Sequence, residues 1–435
     1  MPTFLIEKIK KGVKNLDLFG LGNSAVIYYF LMFFALPLSV FLRLPSKFIE
    51  YFIGQGMPVL TLWTVFCLII GIFSFIIGYW FLNVIGKNRK IPNIFKKEWN
   101  LKKVSYVFTF VFIVGLIVKA IRIFGGGYFY SNINPSLTSS PFYSLLGLLN
   151  WLGPVALAIA FSYYFYLFKI GNSRYRTWRF ISWAAFLFEF VYGFFSGSRF
   201  NAIVPILIYL ITKHYLSSRS RRRIIIASFF ILLILMPLQI YKNPQVSFKN
   251  YFETFDHQIK LELKGIQKFV FDSSIGRIDQ SRVLSAVFEK TEKFLHGETF
   301  LELLTSFGPP RFIWKNKPLS INTLGNQYGR QIGILGPNDF QTSINPTMIG
   351  DWYMNFGIVG IIFGMFLMGM IFRFIYNYLI LETNNSLSGV MIYSVFWIQI
   401  IRGMENYIAP VYAGLMKMFV VLILIHVFLT WKAKN

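Results

Sequence analysis

A single cysteine, Cys67, in 435 residues excludes a disulfide framework and a thiolate metal cage. Charge is scarce too. Asp, Glu, Lys and Arg make up 14% of the chain against 55% hydrophobic residues, and the mean hydropathy is +0.55. A soluble globular domain carries about 25% charged residues, so that class is excluded. Acids are the scarcer sign, 18 against 43 Lys and Arg. There is no DxD and no HExxH, and the four histidines, His214, His257, His296 and His426, are scattered. No recognisable metal-ligand spacing results, and the expectation is chemistry without a metal or other cofactor. Gly20-Leu21-Gly22-Asn23-Ser24-Ala25 fits GxGxxA but precedes an apolar run and follows no strand, so it reads as chance.

Apolar and aromatic residues are abundant, with 50 Phe, 24 Tyr and 10 Trp, the load expected of lipid-facing helices and interfacial belts. A helix crossing a hydrocarbon core of about 30 Å needs roughly 20 residues. Runs approaching or exceeding that length lie near 25–42, 58–85, 104–121, 143–168, 180–196, 200–216, 224–241, 352–380, 388–401 and 407–430. The sequence therefore predicts an all-α integral membrane protein with about ten transmembrane helices. About seven form an N-terminal bundle (1–241) and about three follow a large loop, in 350–435. With the N-terminus inside, the cytoplasmic segments carry 23 Lys or Arg and the short outer turns six, which predicts both termini in the cytoplasm. Lys96-Lys97 and Arg221-Arg222-Arg223 then read as topology signals and lipid-headgroup anchors, not as a nucleic-acid surface. No removable signal peptide is expected at the N-terminus.

Residues 242–349 are the exception to this pattern and are predicted to be extracytoplasmic. They hold 13 Lys or Arg and 10 of the 18 acids. Phe252, Phe255, Ile259, Leu263, Ile266 and Val270 recur at three and four, predicting an amphipathic helix on the outer membrane surface. A second helix is expected from Ser281 to about Phe294. A third, through Phe300, Leu303, Leu304 and Phe307, should end at Gly308-Pro309-Pro310. From Lys315 to Pro346 the Gly, Pro, Asn and Ser content predicts an ordered loop. No internal repeat is visible, which weighs against an inverted-repeat transporter.

Polar residues at membrane depth are informative because charge there is costly. Glu189 and Lys417 sit within predicted spans, and the expectation is an ion pair between them, structural or in a substrate or proton role. At Ser196-Gly197-Ser198-Arg199, Arg199 opens the next span beside free backbone N–H groups; it is an anion site or an arginine snorkelling to headgroups. Gly276-Arg277-Ile278-Asp279-Gln280 follows. In Gly308-Pro309-Pro310-Arg311-Phe312-Ile313-Trp314-Lys315-Asn316-Lys317-Pro318, prolines hold Arg311, Lys315 and Lys317 in place, which suits a diphosphate or a solvated basic loop. Asp351, in Gly350-Asp351-Trp352-Tyr353-Met354-Asn355-Phe356-Gly357, either favours the helix N-terminus or serves as a reactive carboxylate. Gly360 and Gly364 form a GxxxG read as helix packing. Arg402 and Glu405 share the last outer turn.

SGSR at 196–199, GRIDQ at 276–280, GPPRFIWKNKP at 308–318 and GDWYMNFGIVG at 350–360, in that order, resemble the Wzy-type oligosaccharide repeat unit polymerases of O-antigen and capsule synthesis. The likeness spans about residues 140–380. Phe200 stands where that family more often has Gly, and Asp351 where it more often has Glu. The resemblance implies a metal-independent glycosyltransferase of the GT-C class in the bacterial inner membrane. Its donor and acceptor would be undecaprenyl-diphosphate-linked oligosaccharides, polymerised at the outer face beside a flippase and a chain-length regulator. Arg199, Arg277, Arg311, Lys315, Lys317, Arg330 and Arg402 are the candidates for the diphosphate. Asp279, Asp351, Glu405 and His296 compete as the base. An O-antigen ligase and a flippase or other transporter are the alternatives.

Overall fold

The computed structural model describes residues 17–41, 61–85, 93–124, 141–196, 199–217, 280–305, 321–333, 335–338 and 344–431. Among the described residues there are thirteen α-helices and no strand: α1 (Leu21–Phe41), α2 (Leu62–Ile85), α3 (Leu101–Phe124), α4 (Pro141–Leu149), α5 (Leu152–Lys169), α6 (Tyr175–Phe195), α7 (Arg199–Leu216), α8 (Ser281–Lys290), α9 (Leu301–Thr305), α10 (Ile321–Gln331), α11 (Thr347–Tyr376), α12 (Leu387–Gly403) and α13 (Ile408–Thr430). Five stretches among them are long and apolar enough to cross a membrane: Leu62–Leu82, Leu101–Phe124, Leu145–Lys169, Thr347–Leu381 and Ile408–Thr430. Phe66, Phe73, Ile77 and Trp80 on α2 and Tyr106, Phe110 and Ile117 on α3 are exposed, as the lipid-facing side of a membrane helix is. The chain is a membrane protein, and its described residues are all-helical.

Nine of the ten apolar runs read from the sequence coincide with described helices; 224–241 lies outside the described residues, as does the amphipathic helix expected at 250–270. The run 143–168 coincides with the candidate span Leu145–Lys169, within which α4 and α5 are separated by a turn at Asn150 and Trp151, where Pro154 has no N–H to offer the Asn150 carbonyl. One expectation is corrected. The stretch from Lys315 to Pro346 contains α10. Leu324 and Tyr328 within it and Ile332 just beyond recur at four, but Gly325 and Gly329 between them mask the helical signal, and Tyr328 and Ile332 are buried.

Helix α5 is the hub. Val155, Ala156, Leu157, Ala158, Ile159, Ala160 and Phe161 are all fully buried, and α3, α6, α7 and α12 pack around them. The longest contact joins α2 to α11, where a Cβ at Gly78 would overlap the Phe366 carbonyl and one at Gly369 the Phe75 carbonyl. These glycines, not the sequence-level GxxxG, bring the two backbones together. Gly360 and Gly364 instead accommodate Trp352 of their own helix. That is possible because α11 kinks at Gly357, whose φ of 63° and ψ of −150° are glycine territory.

One end of the bundle is closed by hydrogen bonds. Asp17, just before α1, accepts from Tyr376 Oη (2.7 Å), from Tyr215 Oη (3.0 Å) and from the Phe19 N–H (3.1 Å), and pairs with His214 Nε2 at 2.9 Å. Nearby, His426 Nε2 donates to the Ile94 carbonyl at 3.1 Å, because a carbonyl can only accept. In the neutral imidazole the Ser388 hydroxyl then donates to Nδ1 (2.7 Å) and accepts from the Trp99 indole (2.6 Å).

Candidate active site

The opposite end, where α3, α6 and α12 finish and α7 begins, holds a cavity of about 250 Å³. Its walls are Arg122 of α3, Gly147, Asn150, Trp151 and Pro154 around the α4–α5 break, Glu189, Tyr192 and Gly193 of α6, Asn201 and Val204 of α7, and Arg402 of α12. Small-molecule sites span about 300–1,000 Å³, so this one admits a group the size of a sugar or a diphosphate rather than a whole oligosaccharide. The break in the 143–168 run is what builds one wall, since a continuous helix would not present a turn at Asn150 and Trp151.

Glu189 lies on the cavity wall about 9 Å from the end of α6, six residues before Phe195 at 1.5 Å per residue. The expected Glu189–Lys417 pair is corrected here: Glu189 Oε1 is 2.9 Å from Lys119 Nζ, and both side chains are buried. The reason is the hub helix. Gly115 of α3 and Gly153 of α5 meet at backbone distance, which brings Lys119 across to α6, and a Cβ at Gly153 would overlap both Glu189 Oε1 and Lys119 Nζ. The ammonium also sits 5.0 Å from the centre of the Tyr192 ring, and Tyr192 Oη donates to Asn150 Oδ1 at 3.3 Å. Asn201 Nδ2 donates to Ser196 Oγ at 3.2 Å. The cavity thus combines two guanidiniums, two amides and one carboxylate, chemistry suited to an anion carrying hydroxyl groups.

Arg402 is exposed along the cavity, its guanidinium 4.3 Å from the centre of the Phe200 ring. A flat cation on an aromatic face is held in orientation while its N–H edges stay available. Glu405, one turn on, accepts from Tyr28 Oη of α1. Arg199 is the first residue of α7, two positions before cavity-lining Asn201. Arg330 is half-buried on α10 and is not among the lining residues. Arg277, Asp279, Arg311, Lys315 and Lys317 lie outside the described residues, and so does His257. His296 is exposed in the turn before a short 3₁₀ helix, Glu298–Phe300.

Asp351 is elsewhere and is fully buried. Its Oδ1 accepts from Thr299 Oγ1 (2.7 Å) and Asn355 Nδ2 (3.1 Å), and its Oδ2 accepts from the Ile408 N–H (2.8 Å). Asn355 in turn donates to Thr299 Oγ1 (2.6 Å) and accepts from the Gly297 N–H (2.9 Å). The carboxylate caps a helix N-terminus, but that of α13 rather than of its own helix, and it ties the 3₁₀ turn to both. Tyr407, just before α13, is buried beside it, and that burial holds its phenol well above the usual range.

Arg122, Lys119, Asn150 and Asn201 were not read as site residues from the sequence. Lys119 and Arg122 carried a signal: two cations three residues apart share one face at the end of an apolar helix. The model of the family described as “Putative O-antigen polymerase” matches residues 21–423. No curated protein and no solved structure matches the chain.

Proposed function

The chain belongs to the O-antigen polymerase family, and on that premise we propose that it is a membrane glycosyltransferase that polymerises undecaprenyl-diphosphate-linked oligosaccharide repeat units. The growing glycan on its lipid diphosphate is the donor. A sugar hydroxyl of one incoming unit attacks the donor's anomeric carbon, and the lipid diphosphate leaves. The observation that carries this reading is the cavity with Arg122 and Arg402 in its wall. A departing diphosphate develops negative charge, and fixed guanidiniums offer it stronger stabilisation than water would, without a divalent cation. Asn150 and Asn201 supply amides to the first sugar. The size of the cavity supports a division in which diphosphate and reacting sugar sit inside it and the remaining glycan outside.

The distribution of Lys and Arg supports an arrangement with both termini in the cytoplasm and the cavity facing the extracytoplasmic side of the inner membrane. Arg199, Arg277, Arg311, Lys315, Lys317 and Arg330 are the further cations of the reading, as candidates to bind the lipid diphosphate. A flippase and a chain-length regulator are its pathway partners. Asp351 and its bonds to Thr299, Asn355 and Ile408 act as a brace between the 3₁₀ turn and α13, positioning the turn that carries Arg402 and Glu405.

The test is reconstitution of the purified chain in lipid with the cognate lipid-linked repeat unit and EDTA. The expected result is a ladder of glycans with release of undecaprenyl diphosphate, abolished in Arg402→Ala. Transfer of a single glycan to a lipid acceptor without a ladder would instead make it a ligase. Movement of the intact unit across the bilayer without transfer would make it a transporter.

A further inference from the structure

We propose that Glu189 is the general base of the transfer, taking the proton of the attacking sugar hydroxyl. The inference deepens the polymerase reading and rests on it. Among the described residues, Glu189 is the one carboxylate in the wall of the cavity. The other described acids weighed for this role are placed differently: Asp351 is fully buried with both oxygens bonded, and Glu405 accepts from Tyr28 and does not line the cavity.

The Lys119 ammonium sits 2.9 Å from Oε1 of Glu189, which holds the carboxylate in place on the cavity wall. Three features hold this position. Gly153 has no side chain, so both charged groups pack directly on the α5 backbone. The Tyr192 ring lies under the ammonium at 5.0 Å. Tyr192 itself is tied to Asn150, on the facing wall, at 3.3 Å. A structural ion pair needs none of these arrangements around a hollow; a carboxylate serving a substrate needs an oxygen on the cavity side and a fixed plane.

The step balances as follows. The acceptor O–H proton passes to the Glu189 carboxylate as the new bond from the acceptor oxygen to the anomeric carbon forms. The bond from the anomeric carbon to the diphosphate oxygen breaks, and its electron pair leaves on the diphosphate beside Arg122 and Arg402. Glu189 returns its proton to water as the lipid diphosphate departs. Lys119 is then a positioning residue, acting through the carboxylate.

The test uses the full-length protein in lipid, with Glu189→Gln and with the double variant Lys119→Met/Glu189→Gln, which leaves no unmatched charge in the membrane. Binding is read with undecaprenyl diphosphate as probe, and turnover as its release from the lipid-linked repeat unit across a range of pH. Wild-type protein is expected to form a ladder. The double variant is expected to melt and bind the probe as wild type does, to turn over at least about 100-fold more slowly, and to lose the acid limb of the pH–rate profile. A folded double variant with the wild-type rate and acid limb overturns the role of Glu189 while the polymerase reading stands. A wild-type protein that binds the probe but makes no ladder overturns the polymerase reading itself. If the double variant fails to fold, Glu189→Asp decides: it keeps the charge but withdraws the carboxylate, so an unchanged rate overturns the base and a drop of 10-fold or more with unchanged probe binding supports it.

Discussion

At the end of the bundle where α1 starts and α7 and α11 finish, Asp17 is surrounded by the side chains of His214, Tyr215 and Tyr376, and His426, Ser388 and Trp99 form a closed chain of donors and acceptors. At the other end, Arg122, Asn150, Glu189, Asn201 and Arg402 surround a hollow. Both ends bury polar groups, yet one fills the space between them with protein and the other leaves it open. In a membrane the difference matters, because an unfilled polar hollow sacrifices packing that apolar side chains would have supplied. Polarity that closes on itself fixes how helices sit together, whereas polarity around a space is kept for something that enters it. That contrast, rather than any single residue, locates the candidate site.

The comparison breaks most sharply at Gly153. A side chain there, as in Gly153→Val, forces Lys119 and Glu189 apart at the cavity wall. The expected result is loss of the glycan ladder together with about 3–5 kcal/mol of stability, the cost of separating a buried pair, read by gel and by melting in detergent. Asp351→Ala should come next. It strips acceptors from Thr299 Oγ1 and the Ile408 N–H, at about 1–3 kcal/mol for each buried donor left unmet, while Asn355 Nδ2 keeps Thr299 Oγ1 and the residue-351 carbonyl. Hydrogen exchange should show the loss at the start of α13.

The closed end sharpens the contrast in the opposite sense. Asp17→Asn should lower stability by about 1–2 kcal/mol while the turnover of the surviving folded protein is unchanged. Burial alone would raise the Asp17 carboxyl, but the bonds from His214, Tyr376 and Tyr215 and the charge of His214 outweigh it and hold it below the usual carboxylate range. A depressed folded value means that the ionised form contributes stability above the unfolded value near about 3.9, and that this contribution is lost as pH falls through the folded value. The gap in melting temperature between wild type and Asp17→Asn should therefore be full at neutral pH and shrink below about pH 4. The smallest effect is expected at Phe200→Ala, which removes the face under the Arg402 guanidinium. About 0.5–1 kcal/mol of cation–π contact corresponds to a rise in KM of about 2- to 5-fold, and Phe200→Tyr should restore it.

Helix positions were legible in the sequence because each span is a run of apolar residues with few interruptions, and the ends of α2, α7, α12 and α13 fall within a few residues of those runs. The break at Asn150 was hidden because Pro154 and Gly153 sit inside an otherwise continuous apolar stretch. What a charge pairs with depends on which helices become neighbours. Depth alone made Glu189 and Lys417 equivalent partners, and only the close approach of α3 to α5 at Gly115 and Gly153 selects Lys119. Asp351 shows the same limit: its preference for a helix N-terminus was readable, while the identity of that helix was a property of the packed fold. Of the candidate site, Arg402 was recognised from its place in an outer turn. Arg122 was counted only as a topological charge, and Asn150 and Asn201 gave no signal, since a lone amide in an apolar run has many structural uses.

The most direct test of the site is a cryo-EM structure of the protein in a lipid nanodisc with undecaprenyl diphosphate. Density for the diphosphate within hydrogen-bonding distance of the Arg122 and Arg402 guanidiniums, with the polyprenyl chain leading away into the bilayer, is the predicted result. A diphosphate bound at other cations while the cavity between α3, α6 and α12 stays empty would contradict it.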